Sequence, residues 1–212
     1  PRIPNSYPLP SVYTDEEIRA ILGSIDRSTV QGSRDFAILM LASSLGIRAS
    51  DICEMTLEAI NFVKNELSFI QKKTSVPLTL PLLPDVKEAL LGYLGYRKID
   101  STDEPIFIQC RAPYHKLTRM GIWTIMRRYV KQSGVDPGHR KRGTHALRSS
   151  LASSMVREQV PYYAVQKILG HESPQSTKNY VRIDIGRLRE FTLPVPEAYG
   201  RFDAFLKGGE TR

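Results

Sequence analysis

The sequence predicts a mainly α-helical domain that carries one small antiparallel β-hairpin. Three observations predict it. Most of the chain is divided by helix start and stop residues into segments with apolar residues at helical spacing. Only residues 67–82 hold two short apolar strands around a polar turn. Hydrophobic residues are 41% and charged residues 25% of the 212, enough for one sizeable core and incompatible with disorder throughout.

The elements follow in order. Thr14-Asp15-Glu16-Glu17 has the form of a capping box, so a helix runs to about Leu22 and stops near Gly23. Residues 34–45, RDFAILMLASSL, are apolar almost all round, which marks a buried central helix ended by Gly46. Ser50, as cap, and Asp51 open a short helix. Residues 67–70 and 76–82 are the two strands, 71–75 their turn, and Pro77 makes the second an edge strand. Pro84-Asp85 start a helix to about Arg97, and 106–108 form a short apolar segment. From Thr118 to Ser133 a helix turns Ile122, Ile125, Met126 and Val130 to the core. A helix from Thr144 to about Arg157 follows; Pro161 begins another, ended at Gly170, and Pro174 starts the next. The tail has helical patterns at 186–191 and 197–206.

Lys and Arg number 30 against 22 Asp and Glu, a net charge of +8. Such an excess attracts anionic partners, nucleic acid foremost, and equally fits a solvated basic surface. No run approaches the ~18 apolar residues of a membrane span. Two cysteines, Cys53 and Cys110, are too few for a disulfide scaffold or a Cys-rich zinc site and fit a reducing, cytoplasmic compartment. The first 30 residues lack the pattern of a secretory signal, and Pro1, Pro4, Pro8 and Pro10 give the start the composition of an extended linker.

Three segments combine sharp turns with chemically capable side chains. In Leu45–Asp51, Arg48 lies between a helix stop and a helix start; alone, the segment favours an ion pair of Arg48 with Asp51 that ties two helices together. In Thr144–Arg148, His145 and Arg148 are three apart and share a helix face, an imidazole beside a planar guanidinium that matches phosphate oxygens. Leu169-Gly170-His171 places a His at a helix end, with Tyr180 nine residues on. Each segment alone is also compatible with an ordinary structural role.

Together, G-I-R-x-S-D at 46–51, Q-K-K-T-S at 71–75, H-x-x-R at 145–148, G-H at 170–171 and the later Tyr180 resemble, in order and interval, the tyrosine recombinase family, also called the phage integrase family. The likeness runs from T-D-E-E-I-R-A-I-L at 14–22 to Y-V-R-I-D at 180–184. It implies that family's catalytic-domain fold. It also implies that Arg48, Lys73, His145, Arg148, His171 and Tyr180 are the catalytic set, with Lys72 the fallback for Lys73 and Asp51 a supporting acid. Two departures stand out: Ser149 follows Arg148 where the family commonly has His, and Asp51 is the shorter acid. Neither removes a catalytic group.

The implied reaction is transesterification at a DNA phosphodiester. Tyr180 attacks phosphorus, forms a 3′-phosphotyrosyl link and releases a 5′-hydroxyl, so rejoining needs no ATP. A phenol of pKa about 10 needs help to lose its proton, and His145 is the expected acceptor. Arg48, Arg148 and His171 are expected to bind the non-bridging oxygens, and Lys73 to protonate the leaving oxygen. A metal route needs convergent carboxylates. The clusters Asp15–Glu17 and Asp103-Glu104 look like a helix cap and a loop, so no metal and no cofactor are expected.

The basic run Arg140-Lys141-Arg142, and Arg127, Arg128 and Lys131 on the preceding helix, are the expected DNA-backbone contacts, which position DNA without reading bases. The resemblance divides the chain into an interdomain linker at 1–12, a catalytic domain at 13–183 and a C-terminal tail at 184–212. The tail docks in cis or in trans, and the family's N-terminal core-binding domain is expected to be absent. The implied partners are double-stranded DNA carrying specific recombination sites and three further copies, a homotetramer on DNA; a monomer without DNA is compatible with this. Two other readings share these features: a relaxing enzyme of the type IB topoisomerase kind, and a non-catalytic DNA-binding module of the same fold.

Overall fold

The computed structural model describes residues 11–97 and 104–170. Seven helices and a three-stranded antiparallel sheet are formed among them. Helix α1 (Asp15–Gly23) begins with the complete capping box: Glu17 N–H donates to Thr14 Oγ1 at 3.2 Å, and Thr14 N–H to Glu17 Oε2 at 2.9 Å.

Helix α2 (Val30–Ser44) is the central helix. It starts four residues before the expected Arg34, because Thr29 caps it by accepting from Gly32 N–H at 3.0 Å. Ala37, Ile38, Leu39, Leu41 and Ala42 are fully buried, so the helix is apolar on every side but its ends. Gly46, at φ +63°, ends it in the left-handed conformation. Helix α3 (Ala49–Glu54) starts two residues earlier than expected: Arg48, not Ser50, holds the extended cap position, without a side-chain cap bond. The Ser50 hydroxyl instead points to Asp51, at 3.4 Å.

The sheet consists of β1 (Ile60–Asn61), β2 (Glu66–Ile70) and β3 (Pro77–Pro81), in that spatial order. Two residues carry no readable periodicity, and β1 is not foreshadowed in the sequence. Pairing of Leu67 with Leu80 and of Phe69 with Leu78 puts one apolar face on the core. Pro77 opens the edge strand β3, where a missing N–H is tolerated.

Helix α4 (Pro84–Leu94) packs on α2, and Tyr93 stacks on Phe107 with ring centroids 5.6 Å apart. Helix α5 (Arg119–Gln132) buries Ile122, Ile125, Met126 and Val130 as expected. Helix α6 (Thr144–Arg157) packs on α2, and α7 (Tyr162–Leu169) on α6. No described helix is long and apolar enough to cross a membrane.

A buried charged network joins α2, α5 and the segment after Phe107. Asp35, with no exposure, accepts from Arg34 Nε at 2.9 Å and Nη2 at 2.6 Å, from Tyr129 Oη at 3.1 Å and from Arg128 Nη1 at 3.3 Å. Arg34 Nη1 donates onward to Ile108 O at 2.8 Å. Burial pushes the Asp35 carboxyl above its ordinary range, against the pull of Arg34, Tyr129 and Arg128.

Candidate active site

Two helix ends and one hairpin meet at the end of α2. Arg148, one turn into α6, is 3% exposed. Its Nη1 donates to Gly46 O and its Nη2 to Leu169 O, each at 2.5 Å. The guanidinium thus bridges the C-terminal ends of α2 and α7. That approach requires Gly46: a Cβ there would lie 2.8 Å from Leu169 Cδ2 and 3.1 Å from Leu151 Cδ2, on a backbone that already needs positive φ.

Arg48 enters from the cap of α3. Its Nη2 donates to Gly170 O at 3.3 Å, and its buried Nη1 has no hydrogen-bond partner among the described residues. A buried guanidinium N–H left unpaired is an open donor position. Among the described residues Arg48 and Asp51 form no ion pair, so the pairing that the sequence alone allowed is not made. Asp51, 4% exposed, instead accepts from Lys72 N–H at 2.9 Å and fastens the hairpin backbone to α3.

The hairpin turn separates its two lysines. Lys72 Nζ pairs with Glu54 at 2.5 Å, and Glu54 also holds Lys116 at 2.7 Å. Lys73, at the exposed tip, makes no ion pair among the described residues. Of the two, Lys73 carries the available ammonium.

His145 lies in the first turn of α6, whose N-terminus has no side-chain cap. Its pKa is held below the ordinary 6.5, first by desolvation and then by the charges of Arg148, Lys141, Arg48 and Lys73. That set shows what the fold assembles: residues from α3, the β2–β3 turn, the loop before α6 and α6 itself act on one imidazole. The imidazole, exposed on the first turn of α6, faces a field of cations suited to an anion such as a phosphodiester. His171 and Tyr180 lie outside the described residues. Ser149 is buried in α6, where its carbonyl accepts from Ser153. Among the described residues no group of three or more His, Cys, Asp or Glu could hold a metal ion. Cys53 is no nucleophile, since burial pushes its thiol up to about 11.

The expected DNA contacts divide. Arg140 is spent on the protein: it bonds Glu17 through Nη1 at 2.5 Å and Nη2 at 2.7 Å, Val12 O at 3.1 Å, and the carbonyls of Asp136 and Pro137. It also lies 4.5 Å from the Tyr13 ring centroid. With Lys141 N–H donating to Ser11 Oγ at 3.0 Å, this fastens residues 11–13, where the expected linker meets the expected catalytic domain, to the loop before α6. Lys141 and Arg142 remain exposed, as do Arg127 and Lys131, four apart on α5. Arg127 lies over the Trp123 ring at 5.3 Å, whereas Arg128, also exposed, pairs with Asp35. Arg140→Ala is therefore expected to lower folding stability by about 1–3 kcal/mol. Arg142→Ala should leave the unfolding midpoint in place and weaken DNA binding in a salt-dependent way. Urea unfolding and a filter-binding salt series check the pair.

The model of the phage integrase family matches residues 11–187. The chain belongs to the phage integrase family of tyrosine recombinases. It is 34% identical over 189 residues to y4gC of Sinorhizobium fredii, a protein named for the integrase/recombinase class, covering 89% of this chain and 97% of that one. It is 30% identical over 195 residues to the tyrosine recombinase XerA of Pyrococcus furiosus, covering 90% of this chain and 63% of XerA. The fold is similar to that of XerH site-specific recombinase, solved bound to a palindromic difH substrate in a post-cleavage complex. That match has a TM-score of 0.72 at 21% identity and covers 86% of this chain and 52% of XerH. The chain thus spans less than two thirds of the XerA and XerH chains.

Gln71 is the site residue that sequence reasoning passed over. It precedes the lysines and is 1% exposed. The only local signal was a Gln and a Thr three apart, flanking the two lysines.

Proposed function

We infer that the chain is the catalytic part of a site-specific DNA recombinase that cleaves and rejoins strands through a covalent 3′-phosphotyrosyl intermediate. One observation carries this best: Arg48 and Arg148, from separate elements, both donate to the C-terminal end of α7, which Gln71 of the lysine turn also reaches, and the buried Nη1 of Arg48 is left open for an anion. Family membership supports the same reading.

In the proposed reaction Arg148 and the unpaired Nη1 of Arg48 receive the non-bridging phosphate oxygens, joined by His171. Tyr180 attacks phosphorus as its phenolic proton passes to His145. The bond to the 5′-oxygen breaks, and Lys73 gives that oxygen a proton. Asp51 holds the turn that carries Lys73. Lys141, Arg142, Arg127 and Lys131 are the proposed backbone contacts. The proposed assembly is a tetramer on two DNA sites, acting on cytoplasmic or nucleoid DNA. No observation favours a relaxing topoisomerase or a non-catalytic binder over this reading.

A suicide duplex, nicked next to the scissile phosphate and incubated in EDTA, tests it. A covalent protein–DNA adduct is expected with the unsubstituted chain and none with Tyr180→Phe. An adduct that persists in that variant would show that the nucleophile lies elsewhere. Loss of cleavage in EDTA would show that a metal is needed.

The pH dependence has a defined sign. His145 accepts a proton only when neutral, and its pKa in the free protein lies below 6.5. At limiting DNA, the cleavage rate should be flat through neutrality and fall as pH drops through that lowered pKa. His145→Gln should lower the rate about 10²–10⁴-fold and flatten the acid limb. A rate series from pH 5 to 8 on both proteins checks this.

A further inference from the structure

The Gln71 side chain occupies a junction that the reaction above leaves without a role. It lies at the root of the turn carrying Lys72 and Lys73, and its backbone closes that turn. Its N–H donates to Val76 O at 3.0 Å, and its carbonyl accepts from Ser75 N–H at 2.8 Å. The side chain points the other way, into the protein. Oε1 accepts from Thr74 Oγ1 at 2.9 Å, and Nε2 reaches Leu169 O at 3.5 Å.

That second bond is long, and space fixes the amide as much as the bond does. A Cβ on residue 170 would lie 2.4 Å from both Gln71 Nε2 and Oε1. Gly170 is thus required twice, for its φ of +58° and for the room it leaves to Gln71. Leu169 O and Gly170 O are also the carbonyls that receive Arg148 and Arg48. One helix end therefore gathers both guanidiniums and the root of the lysine turn.

We propose that Gln71 is a positioning residue for strand cleavage: its buried amide latches the Lys72–Lys73 turn to the C-terminal end of α7 and so sets where Lys73 meets the leaving oxygen. Asp51 holds the same turn from the other side through Lys72 N–H. With both fastenings made, the lysine approaches the phosphate from a fixed direction relative to Arg48 and Arg148. Without the amide, the turn keeps its backbone closure and loses its register to the two arginines. The proposal rests on Lys73 acting as the general acid, and the test separates failure of one from failure of the other.

The test compares two nicked suicide duplexes that differ in one atom. Their cleavage position is first mapped with the unsubstituted chain, by recovering covalently bound strands from a pool of randomised duplexes. One duplex has oxygen at the 5′-bridging position of the scissile phosphate, the other sulfur. A 5′-thiolate leaves without being protonated, so the sulfur duplex bypasses the general acid alone.

On the oxygen duplex, Lys73→Ala should slow adduct formation by about 10²–10⁴-fold. Gln71→Leu should slow it by about 10–100-fold, as expected for a misplaced catalytic group. Both should return to near the unsubstituted rate on the sulfur duplex, and Gln71→Leu should add nothing in the Lys73→Ala background. Thr74→Val, which removes the latch's exposed-side partner and leaves the buried amide in place, should show the same rescue with a smaller loss. It carries the test if Gln71→Leu does not fold.

Rescue of Lys73→Ala without rescue of Gln71→Leu or Thr74→Val would overturn the latch, since general distortion slows both duplexes alike. An unslowed Gln71→Leu on the oxygen duplex would overturn it too. Failure to rescue Lys73→Ala itself would overturn the general-acid role, and the latch with it.

Discussion

Replacing Arg148 with alanine is expected to lower the rate of covalent adduct formation by about 10²–10³-fold or more, the loss typical of one preorganised donor to a developing anion. The structure adds a second consequence. Arg148 is buried and bridges Gly46 O to Leu169 O, so alanine leaves two carbonyls without that donor and opens a gap between the ends of α2 and α7. Stability should fall along with activity, by about 1–3 kcal/mol. Arg148→Lys separates the two effects. An ammonium keeps the charge but cannot reproduce the planar fork that spans both carbonyls. The lysine variant should retain more of its stability than alanine and still cleave poorly. Urea unfolding measured beside single-turnover cleavage checks both; a lysine variant of full activity would show that charge alone suffices.

The largest expected effect on folding is at Asp35. Asp35→Ala should destabilise the protein by about 3–5 kcal/mol, because it strands the Arg34 guanidinium in the core with Ile108 O as its remaining partner in that network. The cause is the uncompensated charge rather than the pair's own attraction. Removing both partners, as Arg34→Met with Asp35→Leu, should therefore be markedly milder than Asp35→Ala alone. Equal losses would show that the network contributes chiefly through packing and the Tyr129 bond. Chemical unfolding of the two variants decides between these.

Where local chemistry dictates structure, the sequence was legible. Thr14 and Glu17 announce α1 because two side chains can satisfy two orphan N–H groups within one turn. Gly46 and Gly170 announce helix ends because both are left-handed. Pro84 and the burial pattern of α5 read equally well. The start of α2 lies ahead of the apolar run that marks the helix, and Gly32 stands in its first turn because a Cβ there would lie 1.8 Å from Asp26 O. Ser50 suits a cap by residue type, but the chain turns helical at Ala49.

Partners distant in sequence were not legible. Arg140 and Arg142 look alike in a basic run, and a glutamate 123 residues away takes one of them out of the expected DNA face. Arg128, though exposed, is engaged by Asp35, 93 residues off. At the candidate site, Arg48, Lys73, His145 and Arg148 are readable as an ordered set, and the fold brings Arg48 and Arg148 together at the C-terminal end of α7. His171 and Tyr180 lie outside the described residues, so their roles rest on the family resemblance. Gln71 could not be found from sequence, because an amide has no chemical signature until its neighbours are known.

The central claim is a covalent link from Tyr180 to a DNA 3′-phosphate. Mass spectrometry of the nuclease-trimmed, protease-digested adduct tests it most directly. The expected result is a nucleotide joined through its 3′-phosphate to the peptide containing Tyr180, with a free 5′-hydroxyl on the released strand. Attachment at another residue, linkage through a 5′-phosphate, or cleaved DNA with no protein attached would contradict the account.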